Sequence, residues 1–394
     1  MKFLFYFSFL FLVSCTSSHN VISYKDSRVI NLDERKENVL LFSDIFKSAK
    51  TIILETNKDY LIGNIASIQV YDNHIFVCDV LVANSLYVFD LDGRFVRKIG
   101  QMGRGPGEYI KIIDFTLDID NKIIYLLDNT KWIHSYAFDG THIKKIEIDV
   151  PKINTKSIQY YKGYIYADVI DYSAADDEYM LLRVDVKNGK VLSHYFPSSL
   201  NKGWNELRIN QAFWGRLNDH PLYTQIFMNE IIKIDEQPKV QFLLQSDRLT
   251  TEKDIENIRG KNMYETMKNY FKLNETHKIY DVCNLFENGN HFYFEYNQGK
   301  NIHSILYNKQ SNTTQSINLT KNDLVFHNVP GDNKHRILFY DQYGVFDVPE
   351  YDWLFGKIQE NVNKNYFNPN LDKLEHLKQL SPDANPVIFF YEFK

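Results

Sequence analysis

Asn73-His74-Ile75-Phe76-Val77-Cys78-Asp79 followed by Leu86-Tyr87-Val88-Phe89-Asp90-Leu91-Asp92-Gly93-Arg94-Phe95 has a counterpart further along the chain. It is Asn121-Lys122-Ile123-Ile124-Tyr125-Leu126-Leu127-Asp128 followed by Ile133-His134-Ser135-Tyr136-Ala137-Phe138-Asp139-Gly140-Thr141-His142. Triplets such as Ile75-Phe76-Val77 are apolar without alternation, which suits strands buried on both faces. The Asp-Gly pairs at Gly93 and Gly140 supply the positive φ that tight hairpins demand, and Asn188-Gly189 repeats the signal one unit later. Short strands and such turns recurring about every 40–50 residues are the signature of propeller blades. A glycine-rich connector, Gly100-Gln101-Met102-Gly103-Arg104-Gly105-Pro106-Gly107-Glu108-Tyr109, joins the two units.

Outward from this pair, blade one covers roughly 64–110, blade two roughly 111–157, and blade three roughly 158–200. Blade four covers roughly 211–248, blade five resumes at Tyr280, and blade six begins near Leu324-Val325-Phe326. Two stretches interrupt the strands with helical spacing, about 250–273 and 351–380. In the first, Thr251 and Asp254 form an N-terminal cap and Gly260 weakens a continuous helix. The sixth blade lacks a strand, whereas Lys50-Thr51-Ile52-Ile53-Leu54-Glu55-Thr56 is a strand without a neighbouring partner. Pairing the two closes the ring and protects its edges. The predicted fold is therefore all-β: a six-bladed propeller over residues 44–394, with N- and C-terminal strands sharing one blade and short helical insertions.

Composition agrees with a strand-rich core. Apolar residues make up 44% of the 394, and Phe (28) and Tyr (27), both good strand formers, are abundant. Net charge is −5 with the signs interspersed, so no basic surface for nucleic acid is expected. Met1-Lys2, the apolar run Phe3 to Val13, and Leu12-Val13-Ser14-Cys15 read as a secretory signal over residues 1–14 that is too short to span a bilayer. Cys15 is the expected lipidation site, as in a bacterial lipobox, and residues 15–43 form a lipidated tether and lead-in. Acyl chains on Cys15 hold a protein at a membrane without a spanning helix. The remaining Cys78 and Cys283 are too few for a disulfide framework and read as buried thiols.

The stretch from Ile99 to Phe138 resembles an NHL-type blade, with its glycine-rich connector, Ile123–Tyr125 strand, Asp128 and Phe138-Asp139-Gly140 turn. With the lipobox and the terminal strand, the chain resembles the six-bladed propeller lipoproteins of Bacteroidetes. That resemblance implies a cell-envelope protein at the outer membrane, built as a monomeric propeller; of the two sides, periplasmic and surface-exposed, the residues after Cys15 favour the periplasmic one. The acidic cluster associated with surface export is absent after Cys15. Six-bladed relatives include binding modules and hydrolases or lactonases, so the fold does not choose between them.

Candidate chemistry is sparse. Gly100, Gly103 and Gly105 would cradle phosphate only between a strand and a helix, and here another strand, Ile112 to Leu117, follows. The loop reads as an inter-blade connector with Arg104 at its tip as a candidate ligand contact. Asp79, Asp128 and Asp168 fall at equivalent strand ends and offer hard oxygens to calcium; hydrogen bonding to nearby amides is the competing expectation. No nucleophile elbow and no zinc spacing is present, so no catalytic residue and no resident metal are assigned. The most ligand-like stretch is Trp204 to Arg216, with Trp204, Arg208, Trp214 and Arg216 as candidate binding residues and His220 near the same rim. Its Phe213 and Trp214 have a plainer alternative, opening a strand and packing between blades. The leading expectation is a non-enzymatic, lipid-anchored module that binds a small molecule, glycan or envelope protein. The alternative is a metal-dependent hydrolase or lactonase with its site at the central channel.

Overall fold

The structure, a computed structural model, describes residues 22–33, 38–129, 131–149, 153–171, 179–197, 212–215, 220–258, 260–327, 329 and 336–394. Six four-stranded antiparallel meanders follow one another along the chain. Blade one is built from Ser67–Tyr71, His74–Asp79, Ser85–Asp90 and Phe95–Ile99, and blade two from Ile112–Asp118, Ile123–Asp128, Trp132–Ala137 and His142–Glu147. Blade three takes Ile153–Tyr161, Tyr164–Asp171, Tyr179–Asp185 and Val191–Pro197, so its innermost strand begins earlier than the repeat spacing suggests. Blade four uses Phe213–Trp214, Leu222–Tyr223, Glu230–Lys233 and Lys239–Gln245, its two inner strands reduced to two residues each. Blade five contains Ile279–Glu287, His291–Gln298, Asn301–Asn308 and Thr313–Ile317.

Blade six is completed from both chain ends. Ile337–Tyr340, Gly344–Asp347 and Val387–Phe393 come from the C-terminal part, and Phe46–Ile53 pairs antiparallel with Val387–Phe393 from Val387–Ile53 to Phe393–Phe46. The spare N-terminal strand thus fills the missing place, displaced a few residues toward the N-terminus. Leu324-Val325-Phe326, expected to open blade six, is instead a buried turn. Phe326 packs against Trp353 and Phe367 at ring distances of 5.2 and 5.3 Å and makes an isolated bridge to Phe367, so this triplet is packed against the insertion and belongs to no blade sheet.

The alternating direction of strand side chains explains how unbroken apolar runs serve a ring. Ile75 and Val77 enter a cluster with Ile52, Leu338 and Ile388 of blade six, while Phe76 and Cys78 enter one with Phe115, Leu117 and Leu126 of blade two. Tyr125 and Leu127 face blade three beside Ile165 and Leu182. Every strand between two blades therefore contributes to two interfaces, and the contact between blades six and one closes the circle. Cys78 and Cys283 are buried free thiols. Among the described residues, no helix is long and apolar enough to cross a membrane.

The lead-in is more ordered than its polar sequence suggests. Arg28–Asn31 runs parallel to the outer strand Lys239–Gln245 of blade four, and Val39–Leu41 runs parallel to Leu319–Lys321 beyond blade five. Ile22 is already buried against blade four. From that residue on, the described N-terminal chain runs along the ring's rim from blade four to blade six. Helices Glu252–Ile258 and Met263–Leu273 form the first insertion, divided near Gly260, and the reciprocal Thr251–Asp254 capping bonds are present. Tyr351–Lys364 and Leu374–Lys378 form the second.

Candidate functional site: the mouth of the central channel

An antiparallel meander puts two kinds of connection at one end of each blade: those between blades and those between second and third strands. Hairpin turns occupy the other end, and most of these are tight, as at residues 72–73, 138–141 and 162–163. The end where the innermost strands begin carries the long connections, including 246–278 and 348–386 with their helices. At this same end lies a central cavity of about 510 Å3, walled by the starts of the innermost strands of blades one, two, three, four and six.

One arc of that wall is polar and continuous across blades. Asp114 of blade two accepts hydrogen bonds from Ser67 Oγ of blade one at 3.1 Å, and from Ser157 Oγ and the Ile158 amide of blade three at 2.6 and 2.9 Å. Burial among these blades raises the Asp114 pKa above the usual carboxylate range even though all three bonds pull it down. Its side chain still reaches the cavity water, so the group is walled in by protein without being sealed off. One layer deeper, Gln69 bonds the Phe115 carbonyl and Leu117 amide at 3.3 and 3.0 Å, and Thr116 accepts from the Tyr160 amide at 2.9 Å. On the blade-six side, Arg336 donates to the carbonyls of Ile65 and Ala66 at 2.9 and 3.4 Å, tying blade six to blade one. Ala212, Phe213, Leu338 and Phe339 add apolar surface from blades four and six, beside aliphatic residues of blades one to three.

Carboxylates on the second strands act as internal braces, Asp79, Asp128 and Asp347 at the strand ends and Asp168 and Glu295 within their strands. Asp79 accepts four amides, those of Gly63, Asn64, Leu81 and Val82, and Asp128 accepts those of Ile110 and Lys111. Asp168 is held by side chains instead, the Tyr223 hydroxyl and the Gln225 amide of blade four. Asp347 receives the Arg336 amide at 2.6 Å and Glu295 the Asn284 side chain at 2.7 Å, so blades six and five carry the same device. Each carboxylate fixes the chain leading into an innermost strand or the neighbouring blade. Among the described residues, no cluster of three histidine, cysteine or acidic side chains has metal-site geometry.

The glycine-rich connector is likewise closed on itself. Glu108 folds back to accept from the Gly105 amide and the Gln101 side chain at 2.7 and 2.6 Å, and Gly103 N–H donates to the Tyr109 carbonyl. The carboxylate sits where a phosphate would have to sit, and these bonds lower its pKa. Tyr136 donates to the Gly107 carbonyl at 3.0 Å, and Arg104 is exposed at the tip.

Of the other expected contacts, Trp204, Arg208 and Arg216 lie outside the described residues. Trp214 is buried between blades four and five, and Phe213 between three and four, which is the plainer of the two readings. His220 does not share a rim with the cavity mouth. It sits at the hairpin end of blades three and four, 3.0 Å from the Tyr161 hydroxyl and 3.1 Å from the Ile234 carbonyl, with Asp235 at 3.6 Å. Its position after the first strand of blade four puts it at the far end. The collar of Ser67, Asp114, Ser157 and Arg336 went unforeseen, because its members come from four blades and share no linear motif. The internal chain from Asp128 through His134 to His142 was also missed; its links are 3.2 and 3.3 Å, and His134 is fully buried.

A family model described as a domain of unknown function, DUF4934, matches residues 27–392. This chain belongs to the DUF4934 family. No functionally curated protein matches its sequence. A putative exported protein from Bacteroides fragilis superposes with a TM-score of 0.69 at 17% identity, over 94% of this chain and 99% of its own. A member of the DUF4221 family from Bacteroides vulgatus gives 0.53 at 12% identity, over 88% and 96%. At these identities the likeness is one of fold: the DUF4934 chain shares a six-bladed propeller that occurs in Bacteroides proteins. Neither relative is an identified NHL-type lipoprotein, so that finer resemblance carries no family assignment.

Proposed function

We propose that this DUF4934 chain is a lipid-anchored, non-enzymatic binding module of the cell envelope that takes a small ligand in the cavity at its channel mouth. The cavity of about 510 Å3 carries the reading. It falls within the size range of ligand sites and combines an apolar wall with a few convergent polar groups. It also opens at the face where long connections depart from the repeat. Its described lining contains neither histidine nor cysteine, and the Ser67 and Ser157 hydroxyls are spent as donors to a carboxylate. That arrangement suits holding a ligand better than attacking one.

The envelope location rests on the Phe3–Val13 run and the Leu12-Val13-Ser14-Cys15 motif, and the exported character of the Bacteroides fragilis relative favours it. At about 3.5 Å per residue, a link from Cys15 to Ile22 can reach no further than about 25 Å, so a lipid on Cys15 would keep blade four close to the membrane. The similarity to NHL-like propeller lipoproteins supports an outer-membrane anchor facing the periplasm. Metabolic labelling with an alkynyl fatty acid should mark the wild-type chain and fail with Cys15→Ala.

For the binding role, residues 22–394 are heated in the presence of small molecules, below about 1 kDa, extracted from the native envelope. The extract should raise the melting temperature of wild type but not of Ser67→Phe, which fills the cavity mouth. Mass spectrometry of the eluted ligand should return it chemically unchanged. Equal shifts for both proteins would refute the cavity as the site, and recovery of a converted product would refute the non-enzymatic reading.

A further inference from the structure

The cavity mouth carries charge of a sign opposite to the chain as a whole. The protein has a net charge of −5, yet Lys111, Lys156 and Arg336 all line the cavity, against the two carboxylates Asp114 and Asp168. Asp168 is engaged by Tyr223 and Gln225, and Asp114 by two serines and an amide. The cations are differently placed. Arg336 has five N–H donors, of which its contacts engage two carbonyl oxygens, and no carboxylate pairs with it among the described residues. Lys111 and Lys156 are exposed at the rim and likewise have no ion pair among the described residues.

A guanidinium held in a walled cavity against carbonyls alone is an incomplete arrangement. Arg336 is exposed to the cavity water along one side, and protein packs against the other, where the Ile65 and Ala66 carbonyls accept from it. Partial withdrawal from bulk water weakens the hydration of its charge, and a pair of carbonyl dipoles replaces only part of what is lost. Loss of solvent accordingly draws the Arg336 pKa below its ordinary value, although the group stays charged. A carboxylate accepting two parallel N–H bonds from the unused edge of the fork would complete it. Across the cavity, Phe213 and Phe339 present aromatic surface, and the Ser67–Asp114–Ser157 arc offers hydrogen-bonding partners for hydroxyl groups. The cavity volume suits a ligand the size of one or two sugar rings.

We propose that the ligand of the channel mouth is a small carboxylate-bearing, hydroxylated organic anion, bound through its carboxylate by Arg336 with Lys111 and Lys156 at the rim. This inference rests on the cavity reading above and adds the chemical class. In it Arg336 selects the anion, the two lysines draw it in, and the polar arc orients the neutral end. Attraction between the exposed lysines and an anion weakens with salt, so affinity should fall as ionic strength rises.

The test uses residues 22–394 with three probes, D-glucuronate, its neutral counterpart D-glucose, and acetate, titrated by calorimetry at low and at physiological salt. Wild type should bind glucuronate saturably and at least about tenfold more tightly than glucose, and bind it less tightly in the higher salt. Arg336→Gln should remove that preference, and Lys156→Gln should lower glucuronate affinity a few-fold. Because Arg336 also ties blade six to blade one, the melting temperature of each variant is measured; Lys156→Gln, at an exposed position, keeps the test decisive if Arg336→Gln unfolds. Binding of glucose as tight as that of glucuronate, with Lys156→Gln unchanged, overturns the anion assignment and leaves the cavity reading standing. No saturable binding of glucuronate or acetate overturns the anion assignment. If the envelope extract also fails to stabilise wild type, the cavity reading falls with it.

Discussion

Replacing Asp114 by asparagine and by alanine should have opposite consequences at neutral pH. In wild type the carboxylate accepts from Ser67, Ser157 and the Ile158 amide, across three blades. In Asp114→Asn the side-chain amide keeps one acceptor oxygen for Ser157 and Ile158, and its NH2 donates to Ser67 once that hydroxyl rotates. The number of bonds is retained. What changes is charge: hydrogen bonds to an ionised group contribute about 1.5–3 kcal/mol against about 1 for neutral ones, but the ionised group also carries the burial cost. The direction of the Asp114 shift says which side wins. Burial outweighs the three bonds, so folding disfavours the ionised form. Asp114→Asn is therefore expected to be neutral or stabilising by up to about 1 kcal/mol at pH 7. Asp114→Ala removes every acceptor and strands the Ile158 N–H and two hydroxyls, at a cost of about 2–4 kcal/mol.

The pH dependence gives the sign an independent check. A carboxyl whose folded pKa is raised binds its proton more readily in the native state. Wild-type stability then declines as pH rises from the unfolded value of 3.8 through the folded one. An asparagine does not titrate, so stability relative to Asp114→Asn should be greatest near pH 4 and fall toward pH 7. Urea midpoints at pH 4, 5.5 and 7 for the three proteins measure it. An asparagine variant as unstable as the alanine variant at pH 7, or a wild-type advantage that grows with rising pH, would refute the reasoning.

Gly93 and Gly163 share nearly the same φ, 89° and 88°, but a Cβ at Gly93 would lie 2.1 Å from the Ile53 carbonyl oxygen, whereas at Gly163 it meets nothing within 4 Å. Gly163→Ala should cost about 1–2 kcal/mol in urea unfolding from backbone conformation alone, and Gly93→Ala clearly more because the blade-six edge strand must move; equal costs would show that the contact is immaterial. His142 has its pKa lowered, first by burial and then by His134, so its protonation opposes folding. Stability should fall as pH drops below the ordinary 6.5, and His142→Gln should flatten that slope between pH 5.5 and 7.5; an unchanged slope would count against it. Ile52 is 1% exposed between blades six and one, so Ile52→Ala should lower unfolding stability by about 2–5 kcal/mol, and a loss below about 1 would mean the N-terminal strand does not close the ring.

The parts of the fold visible in the sequence are those where backbone stereochemistry leaves one residue type. Gly93, Gly140 and Gly189 all occupy positive φ, at 89°, 94° and 77°, and their recurrence alone marks the first three blades. The unpaired Ile52-Ile53 strand was legible because a ring with a missing edge is unstable without it. Arg28–Asn31 and Val39–Leu41 were not legible: strands this short, set parallel to outer edges, leave too few residues for a period to show. Blade three's early start was hidden by a register shift between Thr155 and Ser157, which disturbs the alternation at that point. The collar was hidden for a different reason. Arg336 reaches Ile65 across most of the chain's length, and no local pattern encodes a contact that only ring closure creates.

Where a carboxyl serves as a brace, the structure satisfies it. Asp128 receives two amides and His134, Glu108 receives Gly105 and Gln101, Asp254 receives Thr251 and Lys278, and each has its pKa lowered. Asp114 is the contrary case, a carboxyl with three bonds and a raised pKa, and it shares its cavity with a partly desolvated Arg336 that has no acid partner among the described residues. An arrangement tuned for stability alone would bring such charges together or replace them with apolar groups. This ring instead keeps them apart around an open space, at the end where its connections lengthen. Local sacrifices of stability of this kind persist where a further contact compensates for them. Among the described residues no acid supplies that contact, and this is the place the proposed anion would take.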